Sequence, residues 1–227
     1  MPPQISIIIP VVNEAAQLAG SLQPLQALRD CCQLIVADGG SDDGSPAVAA
    51  AWVDKVLHGP RGRAKQMNAG AFEADADILL FLHADTRLPA DAVISIVDAV
   101  VQGYRWGRFD VRFDSSRPVF KLIAFMMNWR SRLTGIATGD QALFVTRRAF
   151  AAAGGFPDIA LMEDIGLSAR LKKLGWPCCL HAKVVTSARR WQRYGVLNTV
   201  LLMWRLRLAY FFGADPNRLA AQYYRKS

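Results

Sequence analysis

Histidine and cysteine are scarce in this chain of 227 residues, with three His and four Cys. The cysteines form two adjacent pairs, Cys31-Cys32 and Cys178-Cys179. Sequence neighbours do not bridge easily, and neither pair has the C-x-x-C spacing of a zinc site, so they read as core thiols in a reducing compartment. There is no G-x-x-x-x-G-K-[ST] phosphate loop and no G-x-G-x-x-G turn, so neither a Walker nor a dinucleotide site is indicated. No run reaches the roughly 18–20 uninterrupted apolar residues that a membrane span needs. "MPPQISIIIP" lacks a basic stretch before a long apolar one, which makes a secretory signal unexpected and the cytoplasm the expected location. Internal repeats and low-complexity tracts are absent too, which argues against a solenoid or a disordered tail.

What is abundant is apolar residues and positive charge. Hydrophobic residues make up 52% of the chain, enough for one large domain with a filled core. Lys and Arg number 27 against 19 Asp and Glu, a net charge of +8. That balance suits nucleic acid, an anionic membrane face or a phosphorylated small molecule, and its sign alone does not choose among them.

Short β-rich runs alternate with helical ones. "ISIIIPVV", "QLIVADGG", "KVLHG" and "ADILLFLHAD" lack strict alternation and are separated by stretches of helical period. This is the pattern of an α/β fold whose mainly parallel central sheet is flanked by helices, with ligands at the carboxyl ends of the strands. Three of those ends carry polar groups: Asn13 and Glu14, then Asp38, then His83 and Asp85. A helix is expected from Ala90 to Gln102, with Pro89 and Asp91 at its start. Beyond it, "WGRFDVRFDS" alternates like an antiparallel strand, "PVFKLIAFMMNWRSRLTG" reads as a helix, and "DQALFVTRRAFAAAGGFPD" as strand, short helix and Gly-Gly turn. This second half reads as an elaboration of the same sheet.

Several clusters suit chemistry. In "ADGGSDDGS", Gly39 and Gly40 allow a tight turn, and Ser41, Asp42 and Asp43 suit the capping of the next helix. Asp38, at the end of an inner strand, needs a partner, for which a base N–H or ribose hydroxyls qualify. In "GPRGRAKQMNAG", Arg61, Arg63 and Lys65 stand at a helix start and suit either a diphosphate or solvent. His83 and Asp85, two apart on a strand, would face one crevice. Carboxylate oxygen suits Mg²⁺ or Mn²⁺, while imidazole is acceptable to Mn²⁺ but poor for Mg²⁺. Glu163 and Asp164 open a helix, either as dipole complements or as a general base. Arg189, Arg190 and Trp191 precede the stretch Tyr194 to Gly213, in which Val200, Leu201, Trp204, Leu208 and Phe211 share one helical face. Arg205 and Arg207 interrupt that stretch, so it reads as a packed or interfacial amphipathic helix.

Taken in order, these pieces resemble the family 2 glycosyltransferases of the GT-A fold from Ile5 to about Trp191. "ISIIIPVVNE" is similar to that family's first strand, "VADGGSDDGS" to its nucleotide-binding turn and "GRAKQMNAG" to its Gly-x-x-x-Ala-x-Asn-x-Gly stretch. "FLHADT" resembles the DxD strand end, with His83 in place of the first Asp, and "GGFPDIALMEDIGLSARLKKLG" the acceptor-side Glu-Asp helix. The resemblance implies a single GT-A domain over 1–191, with a nucleotide-binding half at about 1–88 and an acceptor half at about 103–191. An amphipathic helical extension would follow over 192–227.

It further implies transfer from a nucleotide-sugar, most simply a UDP-sugar, to an acceptor, with inversion. Donor contacts fall to Pro10, Asn13, Glu14, Asp38, Gly39, Arg61 and Lys65, joined by His83, Ala84 and Asp85. Asp85 would hold a divalent cation, Mn²⁺ or Mg²⁺, and His181, one strand beyond the acceptor-side helix, is a second metal candidate. Asp164, or else Glu163, would be the catalytic base, and Asp140, Arg190 and Trp191 would meet acceptor or phosphate. Ser187 stands where processive members carry the Gln of Gln-x-x-Arg-Trp, which points to non-processive transfer. "LMEDIGLSARL" with "TSARRW" resembles a small bacterial subgroup associated with radical-SAM enzymes and arsenosugar synthesis. Partners would then be small molecules and not nucleic acid, with the C-terminal helix on a membrane surface or a homodimer contact. The competing readings are a nucleotidyltransferase, disfavoured by Val11-Val12-Asn13-Glu14 where a phosphate loop would stand, and a non-enzymatic basic module for membrane or nucleic acid.

Overall fold

The computed structural model describes residues 3–224, so residues 1–2 of the expected domain and 225–227 of the expected extension lie outside the described residues. Strands β1 (Ile5–Val11), β2 (Cys32–Asp38), β3 (Lys55–His58) and β4 (Ile78–Phe81) pair in parallel in the order β3-β2-β1-β4. Helices α1 (Ala15–Leu22), α2 (Ser45–Ala50) and α3 (Arg63–Glu73) connect them. The unbroken apolar run of β1 follows from burial on both faces: Ile5, Ile7 and Ile9 enter one core cluster and Ile8 the other. Gly70 of α3 sits directly on β1, and a β-carbon there would come within 2.4 Å of the Ile8 side chain.

Past β4 the sheet changes direction. Strand β7 (Leu143–Thr146) runs antiparallel to β4, and β6 (Trp106–Phe113) antiparallel to β7. Strand β8 (Cys178–Thr186) lies parallel to β6, and the short β5 (Thr86–Arg87) closes that edge against it. The second half thus extends the same sheet, in the order β3-β2-β1-β4-β7-β6-β8-β5. Helices α4 (Ala92–Val101), α5 (Pro118–Thr134), α6 (Arg147–Ala152) and α7 (Glu163–Leu171) pack around it. The expected helix from Ala90 to Gln102 is two residues shorter at the start, where Asp91 is its N-cap.

Two expectations change. The Trp106–Phe113 strand is antiparallel to only one neighbour, and all but Arg112 of it is buried, including Arg108 and Asp110. The charges are tolerable because they are paired. Arg108, with no exposed surface, donates to Asp110, to Ser131 Oγ at 3.0 Å and to the Asn128 carbonyl at 3.1 Å. Arg132 adds a bond to Asp110 Oδ2 at 2.9 Å, so the cluster fastens α5 to the sheet. The cysteines are free, as expected, but only Cys32 is fully buried, and burial pushes its thiol up to about 12.

The C-terminal segment forms α8 (Arg189–Tyr194), α9 (Val196–Phe211) and α10 (Pro216–Tyr224). The face of α9 named from the sequence is not the packed one. Leu206 of α9 joins Leu161, Met162, Leu219 and Ala220 in a small separate core, whereas Leu201, Trp204, Leu208 and Phe211 stay 60–82% exposed. Among the described residues no helix is long and apolar enough to cross a membrane.

Replacing Asp110 with Ala would strand the fully buried Arg108 charge. The expected loss is about 3–5 kcal/mol of unfolding free energy. Urea titration followed by circular dichroism checks it, and a loss within the roughly 0.5 kcal/mol typical of surface changes would contradict the assignment.

Candidate active site

The carboxyl ends of β1 and β4, the start of α7 and the chain around α8 enclose one cavity of about 1610 Å³. Pro10, Glu14, His83, Ala84, Asp85, Asp140, Glu163 and Asp164 line it, together with Arg190 and Trp191. The structure therefore brings together residues 180 positions apart in sequence. It leaves others out of the cavity wall. Asn13 accepts from the Asp42 N–H at 3.1 Å, Arg61 is exposed, and Lys65 pairs with Asp158 at 3.8 Å. His181 lies exposed on β8, where its Nδ1 meets Arg132 Nη2 at 3.0 Å. Neither His181 nor its partner Arg132 belongs to the cavity wall, which its strand meets only at Thr186.

Asp38 has found partners within its own turn. Its carboxylate accepts from the N–H groups of Gly40 and Ser41, both at 3.0 Å, and from the Ser41 hydroxyl. Gly39 is required by close packing, since a β-carbon would lie 2.8 Å from Val12 and 2.9 Å from Gln66. That Gln66 side chain donates to the carbonyls of Val11 and Ala37 and so locks the ends of β1 and β2 together.

His83 and Asp85 do not share a strand face, because β4 ends at Phe81. They occupy a turn closed by the Thr86 N–H donating to the His83 carbonyl at 3.0 Å, and both still reach the cavity. Asp85 is exposed to the cavity but hemmed in. Burial by the surrounding protein raises its carboxyl above the usual range, opposed by His83 and Arg189 and reinforced by Asp140. Burial likewise raises Glu14, with Asp85 and Asp43 adding repulsion and Arg189 opposing. A cation shared with an anionic ligand would relieve this crowding of negative charge. Among the described residues no three His, Cys, Asp or Glu side chains form a metal cage. A hard cation here would have to complete its shell with ligand oxygens and water, which Mg²⁺ and Mn²⁺ commonly do at phosphate sites.

The loop Gly139–Gln141, a single 3₁₀ turn capped by Thr138, joins the two halves of the site. Asp140 Oδ1 lies 3.5 Å from His83 Nδ1, and the Gly139 N–H donates to Asp164 Oδ2 at 2.8 Å. The His83 ring rests so close to Gly139 that a β-carbon would come within 2.3 Å of Nε2. That Nε2, packed against Gly139, is buried without a hydrogen-bond partner. Burial works to raise Asp140, yet His83, Arg63 and Arg190 together hold it below the usual carboxylate range.

At the start of α7 the two acids differ. Glu163 is 2% exposed and accepts from Arg63 Nη1 at 3.3 Å, so it is committed to an ion pair. Asp164 faces the cavity and also accepts from the Ile165 N–H at 2.7 Å. Burial first, then repulsion from Glu163, pushes its carboxyl up to about 6. Elsewhere in the lining, Trp191 stacks edge-on against Phe113 at 5.8 Å, and the Arg190 guanidinium lies 3.7 Å from the centre of the Tyr223 ring. Tyr223 and Gly139 were not legible as site residues in the sequence. Nothing in the local pattern marks the tyrosine, and the glycine's only signal is its place before Asp140.

The arrangement is that of the GT-A class: an α/β sheet whose strand ends gather carboxylates over one cavity. A mannosyltransferase from Pyrobaculum calidifontis, solved with GDP-mannose and Mn²⁺, shares this fold with a TM-score of 0.64 at 21% identity, over 92% of this chain and 61% of that one. Residues 6–154 match the profile of glycosyl transferase family 2, and the chain belongs to that family. Among curated relatives, an undecaprenyl-phosphate 4-deoxy-4-formamido-L-arabinose transferase of Aeromonas hydrophila is 33% identical over 44% of this chain and 34% of its own length. The probable glycosyltransferase YdaM of Bacillus subtilis is 24% identical over 90% of this chain and 54% of its own length. The chain thus spans about a third to a half of the length of these two relatives.

Adding a single methyl group at Gly139 tests the coupling across this loop. Gly139→Ala must push the His83 ring away, and the expected result is loss of nucleotide binding and a changed Asp164 titration with little change in melting temperature. Unaltered binding and titration in that variant would show that the loop does not position either group.

Proposed function

We propose that the chain transfers a glycosyl group from a nucleotide-sugar to an acceptor, without processivity and with inversion. The observation that carries this reading is the pair of acids at the start of α7, one neutralised by Arg63 and the other, Asp164, facing the same cavity as Asp85 with its proton affinity raised. Family membership and the fold support it. In the role proposed for it, Asp164 takes a proton from the acceptor nucleophile as that nucleophile attacks the anomeric carbon and the nucleoside diphosphate departs. Attack from the face opposite the leaving group gives inversion. The Gly139 N–H orients Asp164, and Arg63, Arg189 and Arg190 offset the charge that grows on the diphosphate. Glu14 serves the nucleoside, Asp38 acts by holding the turn around Gly39 in shape, and His83 and Ala84 lie beside the diphosphate.

A divalent cation bound by Asp85 would supply Lewis-acid stabilisation of the leaving diphosphate. Asp85 is assigned to it, and the exposed His181 is set aside because its ring is engaged with Arg132 outside the cavity. A UDP-sugar donor and membership of the radical-SAM-associated subgroup rest on sequence resemblance. A nucleotidyltransferase would leave the Asp164 environment without a purpose.

Thermal-shift titration with UDP-sugars, GDP-sugars and Mn²⁺ should show selective, metal-dependent stabilisation by one nucleotide, because a ligand that binds only the folded state raises its stability. Asp85→Ala should abolish that dependence and reduce turnover by about a hundredfold or more while leaving the melting temperature unchanged. Stabilisation by nucleotide that is equal with and without metal would remove the cation from the scheme.

The raised Asp164 also has a sign. A base must be ionised to accept a proton, so kcat should fall as pH drops through about 6. Glu163→Gln removes the neighbouring negative charge and should move that limb to lower pH. A limb unmoved by this change would mean that another group sets it.

A further inference from the structure

We propose that the apolar faces of α5 and α9 form a docking surface for an anionic lipid bilayer, with the mouth of the candidate active site opening onto it. This deepens the functional reading, on which its second clause rests. On α5, Leu122, Phe125, Met126, Trp129 and Leu133 are 47–71% exposed and recur at i, i+3, i+4, i+7 and i+11, which is one helical face. On α9, Leu197, Leu201, Trp204, Leu208 and Phe211 repeat the pattern at 60–82% exposure. So much exposed apolar surface on two helices exceeds the scatter normal for a soluble protein. The two faces belong together: Met126 from α5 and Leu201, Trp204, Leu208 and Phe211 from α9 line the same cavity as Asp85 and Asp164.

Charge selects the occupant. Residues 115–138 contain Arg117, Lys121, Arg130 and Arg132, and residues 187–214 contain Arg189, Arg190, Arg193, Arg205 and Arg207. Neither stretch contains a single Asp or Glu, although the chain has 19. Arg117, Lys121, Arg189, Arg193 and Arg205 are exposed. Arg130, on the cavity wall beside the methionines, keeps its Nε and Nη2 buried without a partner, a donor set that suits a phosphate oxygen. An apolar stripe containing two tryptophans and bordered only by cations is the pattern of an interfacial helix on anionic lipid. A second copy of the same surface would bring like charges face to face, which disfavours a dimer through it. With the bilayer there, an acceptor would reach Asp164 from the lipid side of the cavity.

Co-sedimentation of the full chain with vesicles of equal phosphatidylglycerol and phosphatidylcholine, and with pure phosphatidylcholine, tests the proposal. Binding is expected to the mixed vesicles only, with a blue shift of tryptophan fluorescence, and to weaken as salt rises. The double change Phe125→Glu and Leu197→Glu, both exposed and outside the cavity wall, should lower partitioning about tenfold or more while leaving melting temperature and nucleotide binding unchanged. Equal sedimentation of the double variant, absence of binding at low salt, or a stable dimer dissolved by the same changes would overturn it. Vesicle binding without any nucleotide binding would uphold the surface and refute the transferase reading, so the two failures are separable.

Discussion

Glu163 is a carboxylate that water scarcely reaches, and it is tolerable because Arg63, 100 residues earlier in the chain, pairs with it. A lone ion in that position would neutralise itself or disrupt the fold. The pairing joins α3, which belongs to the parallel half of the sheet, to α7, which belongs to the other half. It also determines what its neighbour does. Burial first, and then repulsion from Glu163 next door, makes Asp164 hold its proton more tightly than an ordinary aspartate. Arg63 partly opposes that rise, and its charge also helps to hold Asp140 below the usual carboxylate range. One ion pair therefore closes the two halves on each other and tunes the acid that faces the cavity.

The second organising device is the loop at Gly139. Gly139 has no side chain of its own, yet it holds Asp164 by its N–H and gives His83 room. Through Asp140 the loop also reaches His83 by charge. The imidazole that replaces the first carboxylate of the usual acidic pair is thus part of a network with Asp140. In that setting His83 lowers the proton affinity of both flanking carboxylates, Asp85 and Asp140.

How the site meets its surroundings depends on α5 and α9. Both are amphipathic in an unusual sense, since each packs through one face and leaves an apolar one uncovered. On α5 the buried face is fastened by Arg108, Arg132 and Asp110, which fixes the direction in which the uncovered face points. Architecture, charge and cavity thereby converge on one side of the molecule.

The parallel half of the fold was legible in the amino-acid sequence because burial on both faces forces unbroken apolar runs such as Ile5 to Val11, and the turns between them need Gly and Asp. The acids at strand ends were legible for the same local reason. The sequence by itself thus determined the α/β class, the family likeness, and Glu14, Asp85 and Asp164 as cavity-lining acids. What it left open depends on contacts between distant segments. Whether Asp38 keeps its own turn, whether Glu163 or Asp164 is tied up in an ion pair, where His181 lies, and which face of α9 is covered are questions of partners 2 to 100 residues away. Periodicity reports that a helix has an apolar face, but only packing decides whether protein covers it, and here the tertiary structure covers the other one.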